Sequence, residues 1–177
     1  MKCLYYLTST LDSTQQISND LQEAGVNNWF LHVVSKDEAG LKKQQIHSSN
    51  YLETLDLVRD GLIGACFGFS LGLILSLLAY FFQWFGSNLH IIAYLAIIVV
   101  FTGFGAWEGG LAGVASENKK IKQFHDEIEA GKYLVLIYAR KNQEEIVRKT
   151  MEQKHPEASF SASDSSFFNP FTNLKRV

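Results

Sequence analysis

Apolar positions follow three different patterns along the chain, and the changes of pattern divide it. Lys2 to Thr8 is a short run rich in Leu and Tyr, which predicts a strand. Asp12 with Gln15 forms a capping-box pattern opening a helix through Ala24, and Gly25 is a natural C-terminal stop. Trp29 to Ser35 alternates aromatic and β-branched residues in a second strand, so residues 1–35 read as one βαβ half. The order repeats over residues 132–162. Tyr133 to Arg140 is the strongest strand pattern in the chain, and Asn142 with Glu145 repeats the cap. The helix this opens ends near Lys154, before Pro156 blocks continuation, and Ala158 to Ala162 forms a shorter strand.

Two βαβ units of similar length predict an α+β, ferredoxin-like βαββαβ domain, with the first strand of each unit at the centre and both helices on one sheet face. Such a sheet normally shows its other face to water, yet both faces of these strands are apolar. Tyr133, Val135 and Ile137 oppose Leu134, Leu136 and Tyr138, while Trp29, Leu31 and Val33 oppose Phe30, His32 and Val34. The open face therefore needs cover from a second subunit, from the connector at residues 36–60, or from a ligand.

Between the halves the pattern becomes continuous. Gly61 to Val114 contains one acid, Glu108, and no Lys or Arg. Leu62 to Trp84 and a second run from Leu89 to about residue 110 are separated by Phe85 to Asn88, and each suffices to cross a hydrocarbon core of about 30 Å as a helix. The expectation is a transmembrane hairpin over residues 61–115, inserted into the soluble domain. Trp84 and Trp107 are the expected interface anchors. Arg59 before the hairpin and Lys119, Lys120 and Lys122 after it place both termini on the cytoplasmic side.

The connector carries Gly40, Lys42, Lys43, Ser48 and Ser49, and Asn50 with Glu53 suggests where the first long helix begins. Ser116 to Ala130 reads as an amphipathic helix leaving the bilayer, with Ile121, Phe124 and Ile128 on one stripe and Gly131 as its stop. Residues 163–177 read as a flexible tail. Its Phe167, Phe168, Pro170 and Phe171, followed by Lys175 and Arg176, suit a membrane surface or a partner.

Gly64, Gly68 and Gly72 in the first span and Gly105, Gly109 and Gly113 in the second repeat at every fourth position, a glycine-zipper pattern that permits close helix approach. In an antiparallel hairpin the numbers of facing residues have a constant sum. Pairing Gly64 with Gly113, Gly68 with Gly109 and Gly72 with Gly105 meets that condition and centres the turn between Asn88 and Leu89. Packing within one hairpin is the expectation, and oligomer contacts are the alternative.

The formal net charge of −2 supplies no basic patch for nucleic acid. Met1 to Thr10 lacks the apolar core of a signal peptide, and Cys3 and Cys66 are too isolated to suggest a disulfide framework or a metal-ligand spacing. His32, His47, His90, His125 and His155 are scattered, and no phosphate-binding glycine loop is present. Neither an enzyme nor a cofactor or metal is expected. Glu108, directly after Trp107, is the one candidate for ion handling.

Several segments resemble a family of small bacterial inner-membrane proteins of unknown function, some labelled magnesium transporters or grouped with general stress proteins. These are His32-Val33-Val34-Ser35-Lys36, Gly103-Phe104-Gly105-Ala106-Trp107, Lys122-Gln123-Phe124, Glu127 to Lys132, and His155-Pro156-Glu157-Ala158. The resemblance implies a two-span inner-membrane protein and assigns no activity to a residue. The functional expectation is a non-enzymatic membrane protein whose cytoplasmic domain senses a condition or binds a partner. An oligomeric magnesium-like transporter or channel and an accessory subunit of a membrane complex are the alternatives.

Overall fold

A computed structural model of the chain describes residues 1–49, 54–86, 90–165, 169 and 174–176. It is mixed helix and sheet, in two compact units. Met1–Thr54 with Lys119–Val177 form one, and Leu55–Asn118 form the other.

The first unit is built on a five-stranded sheet of β1 (Lys2–Thr8), β2 (Leu31–Val34), β3 (Tyr133–Ala139), β4 (Ser159–Asp164) and β5 (Lys175–Arg176). The strand order is β2-β3-β1-β4-β5 and every pairing is antiparallel. β1 and β3 lie side by side inside the sheet, in register from Lys2↔Ala139 to Thr8↔Tyr133. Each half of the sequence thus supplies one inner strand.

Helix α1 (Leu11–Glu23) is capped two residues ahead of the expected position, by Thr10 rather than Asp12. The Thr10 hydroxyl accepts the Ser13 amide at 3.2 Å, and Asp12 instead sits in the first turn, where a negative charge suits the helix dipole. Gly25 ends the helix with φ at +87°, a conformation that favours glycine. β2 is shorter than expected. The Asn27 side chain accepts the Trp29 amide at 2.9 Å and folds Asn28–Phe30 into a 3-10 turn, leaving Trp29 out in solvent.

The short helix α2 (Glu38–Lys43), capped by Asp37 on the Gly40 amide, tucks Leu41 against the sheet. Ser48 then bridges Val33 in parallel, with Val33 N donating to His47 O and Ser49 N to Val33 O, so this segment occupies the outer edge of β2. The Asn50 and Glu53 cap lies outside the described residues. In α6 (Glu144–Lys154) the cap position is Gln143, with no side-chain bond, rather than Asn142. The expected flexible tail returns to the sheet in part, because β4 runs on to Asp164 and β5 pairs Lys175 and Arg176 with it. The aromatic positions of that tail lie outside the described residues.

The sheet has two buried faces. Leu4, Tyr6, Val33, Val135 and Ile137 meet Ile17 and Leu21 of α1 and Val147 and Met151 of α6. On the other face Cys3, Tyr5, Leu7, Leu134, Leu136 and Tyr138 meet Ile121, Phe124 and Ile128. The described part of the connector instead packs Leu41 and Ile46 on the first face. Among the described residues the second face is covered by the segment at residues 119–130, through its three stripe residues. That segment is not one helix. The backbone of Phe124 (φ −112°, ψ 12°) divides a 3-10 turn, Lys122–Phe124, from the short helix α5 (His125–Glu129).

The second unit is an antiparallel pair of helices, α3 (Leu57–Phe81) and α4 (Ile91–Val114). Their 25 and 24 residues make both long and apolar enough to cross a membrane. Leu55 bridges Glu117 and the Asp56 amide donates to Ser116 O at 3.1 Å, which closes the open end of the pair.

Candidate functional site

The helix pair meets along a seam with almost no side chains. A Cβ built on Gly64 would lie 3.0 Å from the Cα of Gly109 and would strike the carbonyl of Gly105. One on Gly68 would strike the Phe101 carbonyl and stand 3.2 Å from the Cα of Gly105. Gly72 approaches Ile98 and Phe101, Gly109 approaches Asp60 and Gly64, and Gly113 approaches Asp56 and Leu57. The atoms met are mostly backbone, which has no rotamer with which to yield.

These contacts correct the expected register. Gly68 lies against Gly105, not Gly109, and Gly64 lies between Gly105 and Gly109, not against Gly113. The helices are displaced by about one turn, roughly 5 Å, from the expected pairing. Glycine still meets glycine, Gly64 with Gly109 and Gly68 with Gly105, but in a shifted register in which each missing side chain also admits a carbonyl of the opposite helix. Beyond the glycines the seam continues through Ser76, whose hydroxyl donates to the Tyr94 carbonyl at 3.1 Å, and Tyr94 packs edge-on to Tyr80.

Outside the seam most large side chains are apolar and exposed. Phe67, Leu71, Ile74, Phe81, Ile92 and Val99 point outward, with Phe67 75% accessible. Trp84 sits exposed in the turn after α3, and Trp107 packs on Phe104 with ring centroids 5.7 Å apart. Glu108 is exposed on the same outward face as Phe104, Trp107 and Leu111. The charges of this unit gather nearer its closed end, where Arg59 Nη1 lies 3.2 Å from Asp60 Oδ1 and 3.7 Å from Asp56 Oδ2.

The sheet unit holds two polar constellations that the sequence pattern did not single out. His155 is almost fully buried. Its Nε2 lies 2.9 Å from Asp20 Oδ2, outside hydrogen-bond geometry, and its Nδ1 lies 3.3 Å from Glu157 Oε1. Ser13 Oγ donates to Glu157 and Lys154 Nζ to Asp20, so this network staples α1 to the end of α6. The Lys154 hydrogen bond holds the Asp20 carboxyl below its ordinary range. Burial pushes the Glu157 carboxyl up, but bonds from Ser13, its own amide and His155 outweigh that and leave it lowered. Ser13 bonds Glu157 and not His155, so this hydroxyl is not aligned with the imidazole. Burial pushes the Tyr6 phenol up to about 12, which keeps it protonated inside the core.

The second constellation is an ion pair between Lys120 and Asp164, with side chains 6% and 0% exposed. One signal foretells it, because Asp164 shares the inward parity of Ala162 on β4, and an inward acid demands a cation. Two open clefts flank α2. One is lined by Leu11, Gln15, Lys43, Gln44 and Gln45, the other by Glu38, Ala39, Lys42, Ile46 and Ser48. Among the described residues no three His, Cys, Asp or Glu side chains converge as metal ligands. No protein-family model matches the chain, and no curated protein sequence matches it significantly.

Proposed function

We propose that this chain is a non-enzymatic integral protein of the bacterial inner membrane. The α3–α4 hairpin crosses the bilayer, with Trp84 and Trp107 at its two interfaces, and both termini are cytoplasmic. A ferredoxin-like domain held at the membrane by the hairpin senses a condition or binds a partner protein. The observation that carries this reading is the inverted surface of the helix pair. Its outward faces carry large apolar side chains, while the inner seam is nearly bare backbone. Water penalises such an exterior, and hydrocarbon does not. The ferredoxin-like assignment is supported by the antiparallel order β2-β3-β1-β4, with α1 and α6 sharing one face.

The direct test is an alkaline carbonate wash of membranes from expressing cells, followed by crosslinking and mass spectrometry in the untreated membranes. The reading expects the chain to resist the wash and the crosslinks to join its sheet unit to another protein. Release by carbonate would defeat the membrane placement, and a domain with no crosslinked partner would defeat the binding role.

A second reading, an oligomeric magnesium-like transporter, rests on Glu108. A carboxylate on an outward apolar face is costly in lipid unless other copies or water surround it. That reading requires ion flux in reconstituted vesicles that Glu108→Gln abolishes. Flux that survives the substitution, or no flux at all, removes it.

A further inference from the structure

The segment at residues 119–130 covers the second sheet face with three buried apolar side chains, Ile121, Phe124 and Ile128, while Phe30, Val34 and Leu174 pack at its margin. It contains one 3-10 turn and one short helix, so little of its order comes from its own hydrogen bonds. Ionic contacts fasten it from several parts of the sheet unit. Lys120 Nζ enters the buried pair with Asp164 at the end of β4 and also donates to the Asn169 carbonyl at 2.9 Å. Arg176 of β5 stacks 4.7 Å above the Phe124 ring and pairs with Glu127 at 2.9 Å. Lys36, just after β2, pairs with Glu129.

The segment also follows α4 directly, with only residues 115–118 between Val114 and Lys119. A cover with few internal bonds, held by a buried ion pair and joined to a long helix, has the parts of a two-state latch. A buried pair resists partial opening, because separating its members leaves an unpaired charge in the core. Once it is lost, the described residues hold the face closed through three apolar side chains and the more exposed pairs at Glu127 and Glu129.

We propose that residues 119–130 form a releasable latch over the second sheet face, with Lys120–Asp164 as its catch. It opens as a unit while the α1–α6 face stays folded. Opening bares Cys3, Tyr5, Leu134 and Leu136, and gives any displacement of α4 a route to the sheet. The latch belongs to the sheet unit and does not depend on what surrounds the helix pair.

Cys3 reports on it directly, since it lies in the covered cluster and its Cα partner across β1 and β4 is Asp164. The experiment uses the full chain with Cys66→Ala and measures modification of Cys3 by a water-soluble maleimide, in detergent micelles and in lipid vesicles. A second chain carries Cys3→Ser, Cys66→Ala and Val147→Cys, which places the reporter under α6 on the other face. Each rate is divided by that of the unfolded chain to remove intrinsic reactivity.

The expected result is that Cys3 reacts at least tenfold faster than the Val147→Cys reporter. Asp164→Asn should accelerate Cys3 a further tenfold or more and leave the Val147→Cys reporter unchanged. Arg176→Gln, which loosens the middle of the segment without emptying the catch, should give a smaller acceleration confined to Cys3. It carries the same comparison should Asp164→Asn fail to fold. Equal rates at the two reporters, or equal acceleration of both, would mean that the faces open together and would overturn the latch. The micelle arm decides this without reference to a bilayer, so failure of the latch and failure of the membrane placement remain distinguishable.

Discussion

The two units of this chain solve opposite packing problems. In the sheet unit large side chains point inward from both faces of β3, and buried polar groups are paired, as in Lys120–Asp164 and the Asp20–Lys154–His155–Glu157 network. In the helix pair the large side chains point outward and the interior is glycine against backbone. The sheet unit is organised by removing apolar area from water, which requires side chains at the centre. The helix pair gains nothing from turning its side chains inward if its surroundings are already apolar, and close backbone approach becomes the more favourable contact. One chain thus carries two definitions of a core.

The contrast is sharpest for deletions of apolar volume. Leu136→Ala, in the fully buried centre of β3, should destabilise the sheet unit by about 2–5 kcal/mol. Phe67→Ala removes a larger side chain from the outward face of α3 and should leave stability in detergent nearly unchanged. Chemical denaturation of both variants in the same micelle tests this, and a Phe67→Ala cost comparable to that of Leu136→Ala would break the comparison.

Additions should reverse the order. Gly68→Leu drives a side chain into the Phe101 carbonyl and should cost about 1–3 kcal/mol or separate the pair outright. Gly103→Leu, on the same helix pair but with no atom within 4 Å of the added Cβ, should be tolerated. Disulfide trapping between α3 and α4 reads both variants, and equal loss of trapping would show that the glycines do not act through the seam.

The smallest effect is that of acid. The Lys36 and Lys2 hydrogen bonds lower the Glu129 and Glu144 carboxyls, as Lys154 lowers Asp20. Folded carboxyls with lowered values bind fewer protons than unfolded ones. Their contribution is therefore complete above the ordinary values of 4.5 for the glutamates and 3.8 for Asp20. It is lost as the pH falls through the lower folded values. Lys154 has the opposite sign, since its bond to Asp20 raises it and its contribution fades only as the pH rises past 10.5. Denaturation midpoints of the sheet unit should thus be level near neutrality and fall below about pH 4, a modest change because the lysine partners are half exposed and the pairs are screened by water. A midpoint that rises with acid would reverse the sign assigned to these pairs.

How much of this was legible beforehand differs between the units for the same physical reason. Strand periodicity revealed both apolar faces of β3 because alternation is a local property, readable from Tyr133 to Tyr138 alone. The stripe Ile121, Phe124 and Ile128 was equally plain, but its target was not. A stripe says that a segment covers something and not which surface it covers. The zipper glycines were legible by spacing, whereas their register was not, since a repeat at every fourth position pairs glycines equally well after a shift of one turn. Lys120 was read only as a basic flank, because its partner Asp164 is 44 positions away and no local pattern joins them.

The central claim is that the outward faces of α3 and α4 meet lipid. Spin labels at Phe67→Cys and Val99→Cys, each in a chain with Cys3→Ser and Cys66→Ser reconstituted in vesicles, test it through their collision rates with oxygen and with a water-soluble nickel chelate. The account predicts that oxygen dominates at both positions, as it does for a label in hydrocarbon. Dominance of the nickel chelate at both would place these faces in water and contradict it.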